Sequence, residues 1–471
     1  MNFISSEYII LLALTFIAAA VLRGRAVSYA MLAASMVFYG WWNPVYLWLL
    51  FAVIVLSWGG ALIVERWRSR LVLATVIAGE LSLLIYFKYA DFIVLNIRAA
   101  AEWVGSPVAL AVPSVLLPAG ISFMTFQGVA YVVDVYRREL PAVRSFVDVA
   151  LFKSFFPQLV AGPIERATHL LPQLRQLETG FIARAPLARA TFMIMKGVVF
   201  KFVIADNLAA IVNGVYGNVP GANPLDVLFA VIGFSVQIYC DFYGYTMIAL
   251  GSALVFNIDL INNFQHPYTA TSIQEFWRRW HISLSQWFRD YLYIPLGGSR
   301  VSLPRHLVNL LTVMFAVGLW HGASWNFVVW GAVHGGLLAL HVLWRRVARG
   351  VPLSLPGLLA APLGWFATFT LVTLAWIPFR APDLETVPVV FAKLGQWLAT
   401  PLAFSSTVYG WPFYLWLVAA FVVIEIADAS SDLDRGFVRL PSMAQAAVLL
   451  ALCLSTFLGP LTDVAFLYFQ F

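Results

Sequence analysis

The sequence predicts an all-α polytopic membrane protein, and three observations carry that prediction. Of 471 residues, 61% are hydrophobic and only 11% are charged, against about 25% charged in a soluble domain. Mean hydropathy is +0.84, too high to clothe water-soluble globules in polar side chains. One long apolar run follows another, and a helix of about 20 such residues crosses a bilayer with its backbone satisfied internally. No repeat, low-complexity tract or stretch of globular composition separates the runs, so residues 1–471 read as a single membrane-embedded domain.

The runs fall near residues 7–22, 26–42, 44–63, 71–88, 112–133, 146–161, 190–213, 224–257, 305–321, 325–344, 358–378, 411–428 and 443–459. The first ends in Arg23 and Arg25, with no basic flank before it and no clear cleavage site, and is expected to stay as a span. The run 224–257 exceeds one crossing at about 1.5 Å per residue and is expected to fold as two helices. Others are short enough to be re-entrant, which leaves about 11–13 membrane helices.

Orientation follows from the loops. Arg23/Arg25, Arg66/Arg68/Arg70 and Arg137/Arg138/Arg144 follow the first, third and fifth runs, while 41–44 and the intervening stretch 89–111 are poor in Lys and Arg. Alternate basic loops put the N-terminus outside and these arginines, with Arg345/Arg346/Arg349, in the cytoplasm. The net charge of +6 is absorbed by that pattern; no contiguous basic stripe offers itself to nucleic acid. Two cysteines, Cys240 and Cys453, make no disulfide framework, CxxC or zinc spacing.

Chemistry is expected in the polar stretches, since irregular backbone at membrane depth lines cavities or packs in protein. Residues 274–298, QEFWRRWHISLSQWFRDYLYIPLGG, read as one amphipathic helix. At about 100° per residue, Phe276, Trp277, Trp280, Leu284, Trp287, Phe288 and Tyr291 share a face. Arg278, Ser285 and Arg289 lie opposite, with His281 at the border. Such a helix lies in the cytoplasmic interface, its arginines toward water, lipid phosphates or another anion.

In residues 305–346, the string Gly318, Gly322, Ala323, Ser324 interrupts an apolar run beside His321. An imidazole at that depth is a functional candidate by default. A neutral ring takes a proton from a hydroxyl and returns one to a leaving thiol. His334 and His341, seven residues apart, are expected to hydrogen-bond between helices. His281, His321 and His334 do not read as a metal site, because no HxxxH, HExxH or carboxylate cluster accompanies them. No GxSxG, Walker loop or GxGxxG is present.

On these residues the chain resembles the membrane-bound O-acyltransferase superfamily, and within it the alginate O-acetyltransferase membrane-subunit group. The matching segments are GISFMTFQGVAYVVDVYR (120–137), FFPQLVAGPIERATHLLPQL (155–174), IYCDFYGYTMIALG (238–251), NNFQHPY (262–268), SIQEFWRRWHISLSQWFRDYLYIPLGG (272–298), GLWHGASWNFVVWGAVHG (318–335), WIPFRAPDLE (376–385) and FLYFQF (466–471). The resemblance implies membrane helices, some in-plane or re-entrant, around a central funnel or tunnel, with His321 as the essential histidine and His281 as a second, less universal one. It implies no bound cofactor and an acyl thioester, acetyl-CoA or an acylated carrier, as co-substrate. The acceptor is then a cell-envelope polysaccharide, reached directly or through an exported acyltransferase- or esterase-like partner at the bacterial inner membrane. Asp241 and Tyr243 match as pocket residues, although Met247 stands where similar sequences carry an acid. Trp320 or Tyr243 would serve the oxyanion, and Arg278 and Arg289 would attract the donor's phosphates. A transporter using His321, His281 and Asp241, or a scaffold without catalysis, are the competing readings.

Overall fold

The computed structural model describes residues 3–113, 116–160, 162–348, 357–408, 410–460 and 466–467. Among them all regular structure is helical. Eight helices are long and apolar enough to cross a membrane, and shorter apolar helices cover Ser6–Val21 and Ser442–Leu458. The protein is an all-α, multi-pass membrane protein. Its described residues form two compact units that alternate along the chain: Met1–Ile194 with Thr246–Ile261, and Met195–Tyr245 with Asn262–Phe471.

In the first unit, α1 (Ser6–Val21), α2 (Arg25–Gly40), α3 (Tyr46–Trp67) and α4 (Arg70–Leu84) are followed by a π turn at Ile85–Tyr89 and by α5 (Ala90–Trp103). The expected loop 89–111 is therefore helical as far as Trp103. Neither proline nor glycine occurs between Tyr89 and Gly105, so nothing stops the helical hydrogen-bond ladder. Then come α6 (Ile121–Arg137), α7 (Phe146–Ser154), α8 (Ala167–Gln176) and the start of α9 (Leu187–Val198). At nine residues, α7 reaches only about 13 Å and cannot cross a bilayer. Buried Asp148 anchors its first turn, pairing with Arg25 and, at 2.9 Å, with Arg175.

The second unit continues from α9 through a π segment, Val199–Ala205, into α10 (Asp206–Tyr216) and the first part of α11 (Pro224–Val255), whose residues from Thr246 belong to the first unit. The two helices expected from residues 224–257 are one helix of 32 residues, about 48 Å long. Of its most apolar 18-residue window, 78% is buried. A helix apolar on all sides and walled by protein has no need to match lipid thickness. Beyond it lie α12 (Ile273–Arg279), α13 (Ile282–Phe288), α14 (Leu303–His321), α15 (Trp325–Ala348), α16 (Gly357–Arg380), α17 (Thr386–Ala399), α18 (Trp411–Ser431), α19 (Leu433–Val438) and α20 (Ser442–Ser455). Arg345 and Arg346 are exposed near the end of α15. Arg349 and residues 468–471 lie outside the described residues.

Candidate active site

Residues 274–298 are not one helix. Helix α12 stops at Arg279, and His281 adopts left-handed backbone, φ +43°, before α13 begins. That conformation costs a non-glycine residue about 1–3 kcal/mol and persists only where its surroundings impose it. Here the NNFQHPY segment does so. The Gln265 N–H donates to the Arg279 carbonyl at 3.0 Å, and the Ile282 N–H to the Asn263 carbonyl at 2.9 Å. The Ser283 hydroxyl donates to Asn263 Oδ1 at 2.6 Å. The aromatic face survives the break, because Phe276, Trp277, Trp280, Leu284, Trp287 and Phe288 are all buried. Tyr291 is half-buried, and Arg278 and Arg289 are exposed as the wheel expects.

The break turns His281 inward, where its side chain is fully buried. Burial pushes its imidazole down to about 3, so the ring is neutral at neutral pH. It meets Phe242 edge-on at 4.7 Å between centroids, Trp320 at 5.5 Å and His321 at 6.2 Å.

His321 is the last residue of α14, and Gly322 continues in extended backbone. The small residues expected to interrupt the run thus turn the chain into α15. The imidazole is 3% exposed. Around it stand Trp330 at 4.9 Å, Trp320 at 5.0 Å and Phe379 at 5.4 Å. Three predicted residues, His321, His281 and Trp320, therefore meet in one place.

Asp241 and Tyr243 do not join them. The Asp241 carboxylate pairs with Lys201 Nζ at 2.6 Å and accepts the Leu467 N–H at 3.0 Å. The Tyr243 hydroxyl donates to Asp428 Oδ2 at 3.4 Å, an oxygen that also pairs with Lys196 at 2.9 Å. Successive helical residues point about 100° apart, so the residue of this trio that reaches His281 is Phe242. Arg278 and Arg289 lie on the surface, Arg289 Nε bonded to Asp290 at 2.7 Å. His334 makes no inter-helix hydrogen bond among the described residues; its ring packs on Trp330 at 4.8 Å and Trp277 at 5.2 Å.

Lys201, Asp206 and Asp241 form a buried ion cluster, with the lysine 2.5 Å from Asp206. Removing one partner leaves an uncompensated charge, which costs about 3–5 kcal/mol. Lys201→Met is therefore expected to lower thermal stability in detergent sharply. The triple change Lys201→Met/Asp206→Asn/Asp241→Asn should recover much of the loss; equal stability of single mutant and wild type would refute the cluster's role.

The sequence profile of the membrane-bound O-acyltransferase family matches residues 135–379, more than half of the chain. The chain belongs to that family. The probable alginate O-acetylase AlgI of Azotobacter vinelandii is 37% identical over 385 residues, covering 79% of this chain and 74% of that protein. The peptidoglycan O-acetyltransferase of Helicobacter pylori is 36% identical over 381 residues, covering 75% and 71%. The teichoic acid D-alanyltransferase of Streptococcus thermophilus is 29% identical over 286 residues, covering 55% and 67%.

As a membrane-bound O-acyltransferase of the AlgI-like group, the protein is an enzyme that transfers acyl groups to oxygen. Sequence reasoning missed Phe242, Trp330, Phe379 and Asn263. The aromatic three lay inside matched motifs but read as ordinary apolar positions. Asn263 carried a signal, a polar NN pair just before an aromatic helix.

Proposed function

We propose that the protein transfers an acetyl or similar acyl group from a thioester donor on the cytoplasmic side to a hydroxyl of a cell-envelope polysaccharide, or of its exported partner, with His321 as general base and acid. The meeting of His321, His281 and Trp320 at the α14–α15 turn carries this reading. The imidazole of His321 takes the proton of the acceptor hydroxyl as its oxygen attacks the thioester carbonyl carbon. The carbon–sulfur bond then breaks, and the imidazolium returns the proton to the leaving thiolate. The C-terminal end of α14, with its partial negative charge, favours the imidazolium between those steps.

The Trp320 N–H is the candidate donor to the oxyanion, and neutral His281 positions the reacting groups. With 3% of His321 exposed, the reaction runs shielded from bulk water, which favours transfer over hydrolysis. Exposed Arg278 and Arg289 meet the phosphates of a donor such as acetyl-CoA before it enters. The reading is also supported by relatives named for acyl transfer to three different polymers.

The test is purified protein in sealed vesicles, with labelled acetyl-CoA supplied on the side of the Arg345/Arg346 end. Label on acceptor at the opposite face, without passage of intact donor, is the expected result. Passage of intact donor with no acyl product would identify a transporter and overturn the proposal. No product from purified protein, with activity appearing only when a soluble transferase is added, would identify a scaffold.

A further inference from the structure

His266 shares with His281 a left-handed backbone that side chains rarely adopt, with φ +48° at the first and +43° at the second. Pro267 follows it, and the segment joining α11 to α12 carries a single 3-10 turn, Pro267–Thr269, among its described residues. Such a chain has little hydrogen-bond ladder of its own, so its conformation comes from what it is tied to.

One tie is to α18. His266 Nδ1 lies 3.2 Å from Glu425 Oε1, with the two side chains 24% and 6% exposed, so water screens the pair only weakly. The carboxylate is itself fixed, because the Tyr239 hydroxyl of α11 donates to Oε1 and Oε2 at 3.1 and 3.2 Å. The His266 carbonyl accepts from Arg279 Nη1 at 3.4 Å, and the same nitrogen donates to Thr269 Oγ1. Arg279 Nη2 pairs with Glu275 at 2.6 Å. The adjoining Gln265 N–H reaches the Arg279 carbonyl, two residues before His281. One residue further back, Phe264 packs on Trp280 at 5.1 Å and on Phe242 at 5.0 Å, and Phe242 is the ring against His281.

We propose that His266 and Glu425 are positioning residues: their bond latches residues 262–268 to α18, and the latched segment holds His281 in the left-handed conformation that sets its ring beside His321. The proposal rests on the two histidines forming the reaction site, as argued above. A latch of this kind titrates. The Glu425 hydrogen bond raises the pKa of His266 above its ordinary value, against the effect of burial. Asp428 of α18 adds to the attraction and Lys196 of α9 opposes it; that lysine is itself paired with Asp428 and Asp434 at 2.9 and 3.0 Å. An imidazolium bonded to a carboxylate makes a charge-assisted hydrogen bond, so the latch is strongest below the ordinary imidazole range. It weakens as pH rises through the raised value.

The experiment follows amide hydrogen exchange by mass spectrometry in full-length protein in nanodiscs, alongside kcat as a function of pH. The reporter is Ile282, whose N–H is bonded to the Asn263 carbonyl and exchanges when the segment opens. His266→Asn keeps a residue that tolerates left-handed backbone and removes the imidazole; Glu425→Gln removes the charge. Each should speed exchange at Ile282 at least tenfold and lower kcat at least tenfold, with KM within twofold and melting temperature near wild type. The fall of wild-type kcat at alkaline pH, as His266 deprotonates, should be missing from His266→Asn. Asp434→Asn removes an ion pair of the same network while leaving Lys196 on Asp428, and should exchange like wild type. Wild-type exchange at Ile282 in either latch variant overturns the proposal, so one that folds is enough. Equal acceleration in Asp434→Asn overturns it too, as does faster exchange in His266→Asn with kcat unchanged. His321→Ala should keep wild-type exchange at Ile282; transfer activity in that variant would refute the proposed chemistry and leave the exchange result standing.

Discussion

Replacing His321 with alanine is expected to lower kcat for acyl transfer at least a hundredfold while the protein still inserts and folds. General acid–base catalysis by a positioned side chain contributes about 10²- to 10⁴-fold. His321 is the histidine that closes a transmembrane helix at an interrupted turn, with a second histidine ring 6.2 Å away. The neighbouring rings of Trp320, Trp330 and Phe379 are rigid and pack on other partners as well, so truncation leaves a hole rather than a collapsed helix. Circular dichroism and thermal melting should separate lost chemistry from lost fold. His321→Gln fills more of the space and should be equally inactive, and added imidazole should restore part of the rate to the alanine variant alone. Wild-type kcat in either variant would remove His321 from the mechanism.

Gly331→Val is expected to be nearly as damaging without touching a reacting group. Helices α14 and α15 cross backbone to backbone at this point. A Cβ on Gly331 would sit 2.3 Å from the Met314 carbonyl oxygen and 3.3 Å from Gly318 Cα, and one on Gly318 would sit 2.3 Å from the Phe327 carbonyl oxygen. Carbonyl groups inside helices cannot swing aside, so the two helices must part. Overpacking of this kind costs about 1–3 kcal/mol. The displaced turn holds His321, three residues beyond Gly318, and a shift of about 1 Å at a catalytic group can cost a hundredfold in rate. Gly336→Ala on the same helix has nothing within 4 Å of the added carbon and is the matched control. It should keep wild-type kcat and melting temperature; equal kcat in Gly331→Val and Gly336→Ala would show that the crossing does not set the site.

Much of the candidate site could be read from residue order. The His321 turn was visible because glycine, alanine and serine interrupt an apolar run, a pattern that a simple span does not need. The aromatic face of residues 276–288 was also visible, and it stays buried across a break that the wheel did not foresee. That break depends on Asn263 and Gln265, which tie down both sides of His281. Its left-handed backbone is unfavourable locally and arises only through those partners. Asp241 and Tyr243 could not be placed from residue order. The motif singled out this turn of α11, and side-chain direction put Phe242 against His281 and its two neighbours against Lys201 and Asp428.

By itself, then, the sequence determined the solvent, the helical class and the family, and it singled out two histidines and a tryptophan that the fold brings side by side. Each of these follows from composition, short-range pattern or a contiguous motif. Only the tertiary structure decided that residues 224–255 are one buried helix, and which of three consecutive side chains faces the histidines. Those outcomes depend on which distant segment lies against each helix face, and hydropathy and periodicity carry no record of that neighbour.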